Sequence, residues 1–301
     1  MPYKKIKIDE VKNLKAYEVL IKNGFSKAKS QQLIDKGRVF CDDKLIKIKN
    51  EILNGKIFLI DYECNPKGLK PIFENSNFAV FDKPSGVLSH PNGRNSSYNL
   101  YDEIWHLYGK SACVAHRLDK ETSGLILVCK NLNISREFKT MFESRAVKKE
   151  YIALAKGKIE SEFIVDEPIT KSDESSEVKI RMCIDENGKN AITKFIPLEF
   201  YHNINATLIK AIPLTGRQHQ IRLHLFHVKH KILGEPLYGL ETKIVEDIMD
   251  EKLSTNERIK FCGAKRLCLH ASKLEFNYKN EKFEIKTDID FKKEFLNSLS
   301  L

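Results

Sequence analysis

Across its 301 residues the chain has no run approaching the roughly 18 consecutive apolar residues of a membrane span. The opening Met1-Pro2-Tyr3-Lys4-Lys5-Ile6-Lys7 is charged and has no apolar stretch of signal-peptide length behind it. A cytoplasmic chain with no membrane partner is the expectation. Cysteine pairing is also missing: Cys41, Cys64, Cys113, Cys129, Cys183, Cys262 and Cys268 form an odd set without a C-x-x-C pair. That set fits neither a disulfide framework nor a zinc knuckle, so reduced, mostly buried thiols are expected. The nine histidines show no H-E-x-x-H or comparable ligand spacing, and no metal site is expected. There is no internal repeat or low-complexity tract, and nothing argues against a monomer.

Charge is what the sequence has, and it is unevenly spread. Residues 1–62 hold 14 basic and 8 acidic residues, a net of +6 out of +10 for the whole chain. A basic N-terminal fifth suits a polyanion partner, because neutralising phosphates releases counterions. By itself a lysine-rich surface favours a nucleic-acid partner only slightly over solvation alone. The length suits two domains, or one large domain with a small appendage.

Residues 14–23 predict a short helix with Tyr17, Leu20 and Ile21 on one face, stopped by Gly24. Ser26 suits the N-cap of a second helix over 27–36, closed by Gly37. Strands are expected at 38–41 and 45–47 around an Asp42-Asp43 turn, and at 56–60. The stretch 63–76 is rich in breakers and reads as an extended linker. Beyond it, strands are expected at 78–81, 125–129, 151–155, 177–183, 191–201 and 206–213. Helices are expected at 98–108 and 132–144, and 171–177 reads as an exposed polar loop. Strands do not alternate regularly with helices. The prediction is therefore α+β, a mixed, largely antiparallel sheet domain over 77–295 with flanking helices.

The order Gly24-Phe25-Ser26-Lys27-Ala28-Lys29-Ser30 followed by Gly37-Arg38-Val39-Phe40 resembles the small S4-like RNA-binding domain, over residues 13–62. Leu14-Lys15-Ala16-Tyr17 replaces the usual opening of its first helix. The resemblance implies a small α/β RNA-binding domain in which Lys27, Lys29 and Arg38 contact RNA.

Two blocks carry candidate chemistry. In His116-Arg117-Leu118-Asp119-Lys120-Glu121-Thr122-Ser123-Gly124 a carboxylate lies between two cations directly before the apolar strand. Shielded from water but paired, such a group stays ionised and serves as nucleophile or base. An Asp accepting turn hydrogen bonds has the same local sequence. In Pro213-Leu214-Thr215-Gly216-Arg217-Gln218-His219-Gln220-Ile221-Arg222-Leu223-His224 a turn opens a helix that buries Ile221, Leu225 and Val228, with His219 and Arg222 on an adjacent face. Its donors suit a phosphate or a carboxylate.

These blocks, with Phe81-Asp82-Lys83-Pro84-Ser85-Gly86 and His90-Pro91 before them, Ala146-Val147-Lys148-Lys149-Glu150-Tyr151 between them and Arg266-Leu267-Cys268-Leu269-His270-Ala271 after them, resemble the RluA family of RNA pseudouridine synthases in the family's order, across most of residues 77–276. Two positions depart from its pattern: Gln218 stands in place of a small hydroxyl residue and Glu235 in place of Asp. Both are expected to lie away from the catalytic set. The resemblance implies an isomerase that needs no cofactor or metal. Asp119 would be its catalytic carboxylate, Tyr151 would stack on the target uracil, and Arg222 would pair with Asp119. Arg117 would fill the space left by the flipped nucleotide or contact a phosphate. His116, Lys83, Arg217, His219 and Gln220 would position RNA. The appended module makes large-subunit ribosomal RNA, of the 23S type, the expected substrate of an RluC/RluD-like enzyme, with tRNA as the alternative. A non-catalytic RNA-binding factor and a metal-dependent nuclease are the competing classes. The nuclease reading lacks a carboxylate cluster beside Asp119.

Overall fold

A computed structural model describes residues 3–91, 98–172 and 181–299. Of these, 3–67 and Tyr98 form one compact unit, and 68–91, 99–172 and 181–299 form another. No helix among the described residues is long and apolar enough to cross a membrane.

The smaller unit is built on the strand Tyr3–Lys15, which pairs antiparallel with Ile52–Tyr62; Val39–Cys41 and Lys44–Leu45 complete a four-stranded sheet. The unit therefore starts well before residue 13. The lysine-dense opening gives no strand pattern in sequence because its apolar positions are few, and Ile6 is itself exposed. Since residues 3–15 are strand, the first helix is Ala16–Lys22. It buries Ala16, Val19 and Leu20, at i, i+3 and i+4, whereas Ile21 is 43% exposed and Tyr17 half-buried. This corrects the expected face of Tyr17, Leu20 and Ile21. The second helix, Lys27–Asp35, is capped as expected by Ser26, whose hydroxyl accepts the Lys29 N–H.

In the larger unit the sheet runs Phe163–Asp166, Ile192–Tyr201, Ala206–Pro213, Lys148–Lys156, Leu269–Tyr278, Ser123–Cys129, Phe78–Lys83, Phe73–Glu74. Glu281–Lys286 also pairs with Leu269–Tyr278, and Cys113–Val114 with Ser123–Cys129. Every pairing is antiparallel except that between Leu269–Tyr278 and Ser123–Cys129. With helices packed around it, the unit is α+β. Ser123–Cys129 is buried along its whole length, which is why it reads as an unbroken apolar run. Phe73–Glu74 lies inside the stretch expected to be linker; a two-residue strand leaves no periodicity to detect. Of the expected strand 177–183 and polar loop 171–177, residues 173–180 lie outside the described residues, while Met182–Ile184 pairs with Ile169–Lys171. The helix expected at 98–108 is Leu100–Tyr108, capped by Asn99, and the last helix, Phe291–Asn297, runs past residue 295.

One row across three strands matters for the site. Tyr151 pairs with Ala271, and Ala271 pairs with Gly124. The end of the Asp119 loop and the expected active-site tyrosine thus flank the same residue.

Candidate active site

Asp119 sits on a loop whose backbone carbonyls accept hydrogen bonds from the turn before it. Ser89 donates its hydroxyl to the Leu118 carbonyl at 2.7 Å, the Gly86 N–H donates to the Lys120 carbonyl at 2.8 Å, and the Ser85 hydroxyl donates to the Glu121 carbonyl at 2.6 Å. Lys83 adds to this. Its fully buried ammonium donates to the carbonyls of Pro84, Val87 and Lys120, and burial pushes its pKa down to about 7. Lys83 therefore ties the loop to the turn and has no exposed head for a phosphate, contrary to the sequence-based expectation.

Arg222, on the helix Gln220–His227, comes to this loop from 103 residues away. Its Nη1 donates to Asp119 Oδ2 at 3.0 Å. Nε and Nη2 donate to the two carboxylate oxygens of Glu235 at 2.7 and 2.6 Å. Glu235 also accepts the backbone N–H groups of Leu237 and Tyr238. The Arg222 side chain is 4% exposed and that of Glu235 1%, whereas the Asp119 side chain remains 28% exposed. A buried guanidinium thus has one carboxylate partner with no outlet and a second that faces open space. Glu235, which the sequence places away from these residues, is therefore in direct contact with Arg222. The signal for it was the block Gly234-Glu235-Pro236-Leu237-Tyr238-Gly239; what the sequence could not reveal was that this block returns to the Arg222 helix.

Burial alone would raise the Asp119 pKa, but the His219 and Arg222 groups beside it more than reverse this and hold the carboxyl below its ordinary range. His219 is pushed down to about 4, mainly by burial and next by Arg222, so at neutral pH the charge holding Asp119 is chiefly that of Arg222, with Lys83 adding to it. Asp119 is therefore an anion with Oδ2 engaged, while Oδ1 accepts no side-chain or backbone hydrogen bond among the described residues.

Tyr151 lies on Lys148–Lys156, 9% exposed, and its hydroxyl makes no hydrogen bond among the described residues. Burial and then the Asp119 charge push its pKa up, which keeps it a neutral phenol beside the carboxylate. Asp119, Tyr151 and Arg222 therefore converge.

The other expected RNA contacts divide. Arg117 is exposed, and its side chain makes no hydrogen bond or ion pair among the described residues. Arg217 is half-buried and donates from Nε to the Asn190 carbonyl at 2.9 Å. Gln220 is buried: its amide oxygen accepts from the Thr215 hydroxyl and the Arg217 N–H, and its nitrogen donates to the Ile192 carbonyl and the Thr193 hydroxyl. It braces the helix start instead of meeting RNA. The His116 ring accepts the Leu127 N–H at Nε2, at 3.1 Å, and packs on Phe142; burial pushes its pKa down to about 3. It too is internal. His219 precedes the helix as its N-cap instead of sharing a helical face with Arg222, and its Nε2 lies 3.7 Å from Asp119 Oδ2. In the smaller unit Lys27 and Lys29 are exposed, and Arg38 lies over the Tyr3 ring at 4.8 Å. Among the described residues no cluster of histidine, cysteine and carboxylate side chains suits a metal ion.

A family model described as RNA pseudouridylate synthase matches residues 77–227, the span that contains Asp119, Tyr151 and Arg222. The chain belongs to the RNA pseudouridine synthase family. An uncharacterized RNA pseudouridine synthase of Helicobacter pylori is 38% identical over 85% of both chains. A ribosomal large subunit pseudouridine synthase D of Nitrosomonas europaea is 30% identical over 71% of this chain and 65% of its own. A tRNA pseudouridine(31) synthase of Saccharomyces cerevisiae is 35% identical over 57% of this chain and 46% of its own. In structure, the human RNA pseudouridylate synthase domain containing 1 matches with a TM-score of 0.58 at 25% identity, over 75% of this chain and 86% of that one. The activity of this synthase is the isomerisation of uridine in RNA to pseudouridine.

Proposed function

We propose that Asp119 is the catalytic carboxylate of this synthase, that Arg222 holds it anionic, and that Tyr151 stacks on the target uracil. The observation that carries this is the Asp119–Arg222–Glu235 chain. The guanidinium spends its bidentate face on Glu235 and a single N–H on Asp119 Oδ2, which fixes the carboxylate without occupying Oδ1. The reaction breaks the bond from ribose C1′ to uracil N1, turns the base, joins C1′ to C5, releases the C5 proton to solvent, and leaves N1 protonated. A carboxylate oxygen that is charged and open serves each way of starting that sequence, whether it attacks ribose or base or removes a ribose proton. A neutral phenol ring suits stacking on a uracil extruded from the RNA, at a cost of a few kcal/mol that is smallest in loops. Exposed Arg117 is read as filling the space left by the flipped nucleotide or contacting a phosphate.

The target we propose is large-subunit ribosomal RNA, in an RluC/RluD-like enzyme whose N-terminal unit is an S4-like RNA-binding domain. Three things support this reading: the Ser26-capped basic helix, the exposed Lys27 and Lys29, and the similarity to an enzyme named for the ribosomal large subunit. In cytoplasmic extracts and with purified RNA alike, the enzyme is expected to release tritium from ribosomal RNA carrying tritium at uracil C5, with no chain cleavage. Release from tRNA and not from ribosomal RNA would overturn the target. Chain cleavage without tritium release would overturn the chemistry.

A further inference from the structure

His219 occupies a backbone conformation that a side chain enters at a cost. Its φ is +57°, in the left-handed region, at the position directly before the Arg222 helix. Strain of this kind persists where the surroundings fix it. Here those surroundings are Tyr238 on one side and Asp119 on the other. The Tyr238 hydroxyl lies 3.0 Å from His219 Nδ1, and it accepts the Met182 backbone N–H at 3.3 Å. Among the described residues the phenol proton has no acceptor other than Nδ1. An O–H donating to Nδ1 requires that nitrogen to be unprotonated, and the neutral ring then carries its hydrogen on Nε2. Nε2 is the atom 3.7 Å from Asp119 Oδ2.

We propose that His219 is a neutral hydrogen-bond donor to the catalytic carboxylate, and that Tyr238 is the positioning residue that fixes its tautomer. This rests on Asp119 being the catalyst. With Arg222 donating to Oδ2 and the His219 N–H closing on the same oxygen when substrate binds, the carboxylate is oriented by two donors and presents Oδ1 to the substrate. A second full cation there would drain the carboxylate's basicity. An uncharged donor orients it at less cost, and the buried, neutral character of the ring fits that role. The 3.7 Å separation is long for a hydrogen bond, and contacts of this kind shorten when substrate closes the site. Tyr238 is itself placed by Glu235, which accepts its backbone N–H, and its ring lies 5.6 Å from the Arg222 guanidinium. One short segment thus sets both groups that hold Oδ2.

Two substitutions of His219 separate the donor from the backbone. Asn is among the residues that best tolerate a left-handed φ, but its amide reaches only as far as Nδ1. Gln suits that backbone less well, yet its amide nitrogen reaches the place of Nε2. In single-turnover tritium release by the full chain, His219→Gln is expected within about tenfold of the parent, and His219→Asn about a hundredfold or more below it. RNA affinity should be unchanged in both. Asn equal to or faster than Gln would show that the residue serves only its backbone conformation, and would overturn the proposal. If His219→Gln fails to fold, Tyr238→Phe gives an independent reading, since it keeps the histidine and removes the proton that fixes it. There the long-range proton–nitrogen NMR pattern of His219 should lose its pure Nε2–H form, and the rate should fall about tenfold at unchanged RNA affinity. An unaltered pattern and rate would overturn the proposal. Asp119→Asn in the same assay separates the two failures. An active Asp119→Asn protein sinks the catalytic assignment, whereas an inactive one with Asn at or above Gln sinks only the donor.

Discussion

Arg222 is shared between two carboxylates of opposite character, and this decides what each partner does. Glu235 is buried and uses both oxygens on the guanidinium; Asp119 uses one and keeps the other open. Removing one member of a buried pair leaves the other's charge uncompensated, at a cost of about 3–5 kcal/mol. Glu235→Gln is therefore expected to lower the urea midpoint of the larger unit clearly and to slow the reaction, although residue 235 touches no substrate in this reading. Unchanged stability would show that Asp119 alone compensates Arg222. At this scale the sequence was legible only through resemblance. Nothing local separates Asp119 from an ordinary turn aspartate; what did so was Tyr151 and Arg222 following in family order. Residues that look like RNA ligands because they are polar and sit in the same blocks, Lys83, His116 and Gln220, turned out to bond the protein's own backbone. Sequence does not record which polar groups a loop consumes internally.

Elements place these residues, and the tightest point is where two strands meet beside the Asp119 loop. Gly124 has φ +112°, and a Cβ built there would lie 2.4 Å from the backbone N and O of Ala271. Both neighbours are backbone and cannot rotate away. Gly124→Ala is expected to pry Ser123–Cys129 from Leu269–Tyr278, breaking the row that aligns Gly124, Ala271 and Tyr151. The measurable result is loss of the folded larger unit or of tritium release. Full activity would mean that this register is not required. Strands with continuous apolar runs or wide spacing, such as 125–129, 191–201 and 206–213, were readable because burial on both faces or long pairing leaves a pattern. The strand Tyr3–Lys15 was not, since it is mostly exposed and lysine-rich, and its partner lies some fifty residues on.

For the molecule as a whole, buried neutral histidines set the response to acid. His116, His219 and His270 are pushed down to about 3, 4 and 3, chiefly by burial. A base whose folded pKa lies below its unfolded value of about 6.5 binds its proton only on unfolding, so stability is lost as pH falls through 6.5 toward the folded pKa. Asp82 opposes this. Burial, and then Glu294, push it up to about 6, so the folded state takes up that proton first. His90 and His224 are lowered by burial in the same sense, so five histidines against one carboxyl leave a net uptake on unfolding, each net proton contributing about 1.4 kcal/mol per pH unit. The urea midpoint of the larger unit is expected to fall between pH 7 and pH 5. A flat or rising midpoint would show that the histidines are already charged in the fold.

All of this turns on one carboxylate, and it is tested most directly by Asp119→Asn, which keeps the size of the side chain and removes its charge. With enzyme in excess over ribosomal RNA labelled at uracil C5, the variant is expected to bind the RNA about as tightly as the parent and to release no tritium above background. Tritium release at a rate comparable to the parent's would contradict the assignment of Asp119 as the catalyst.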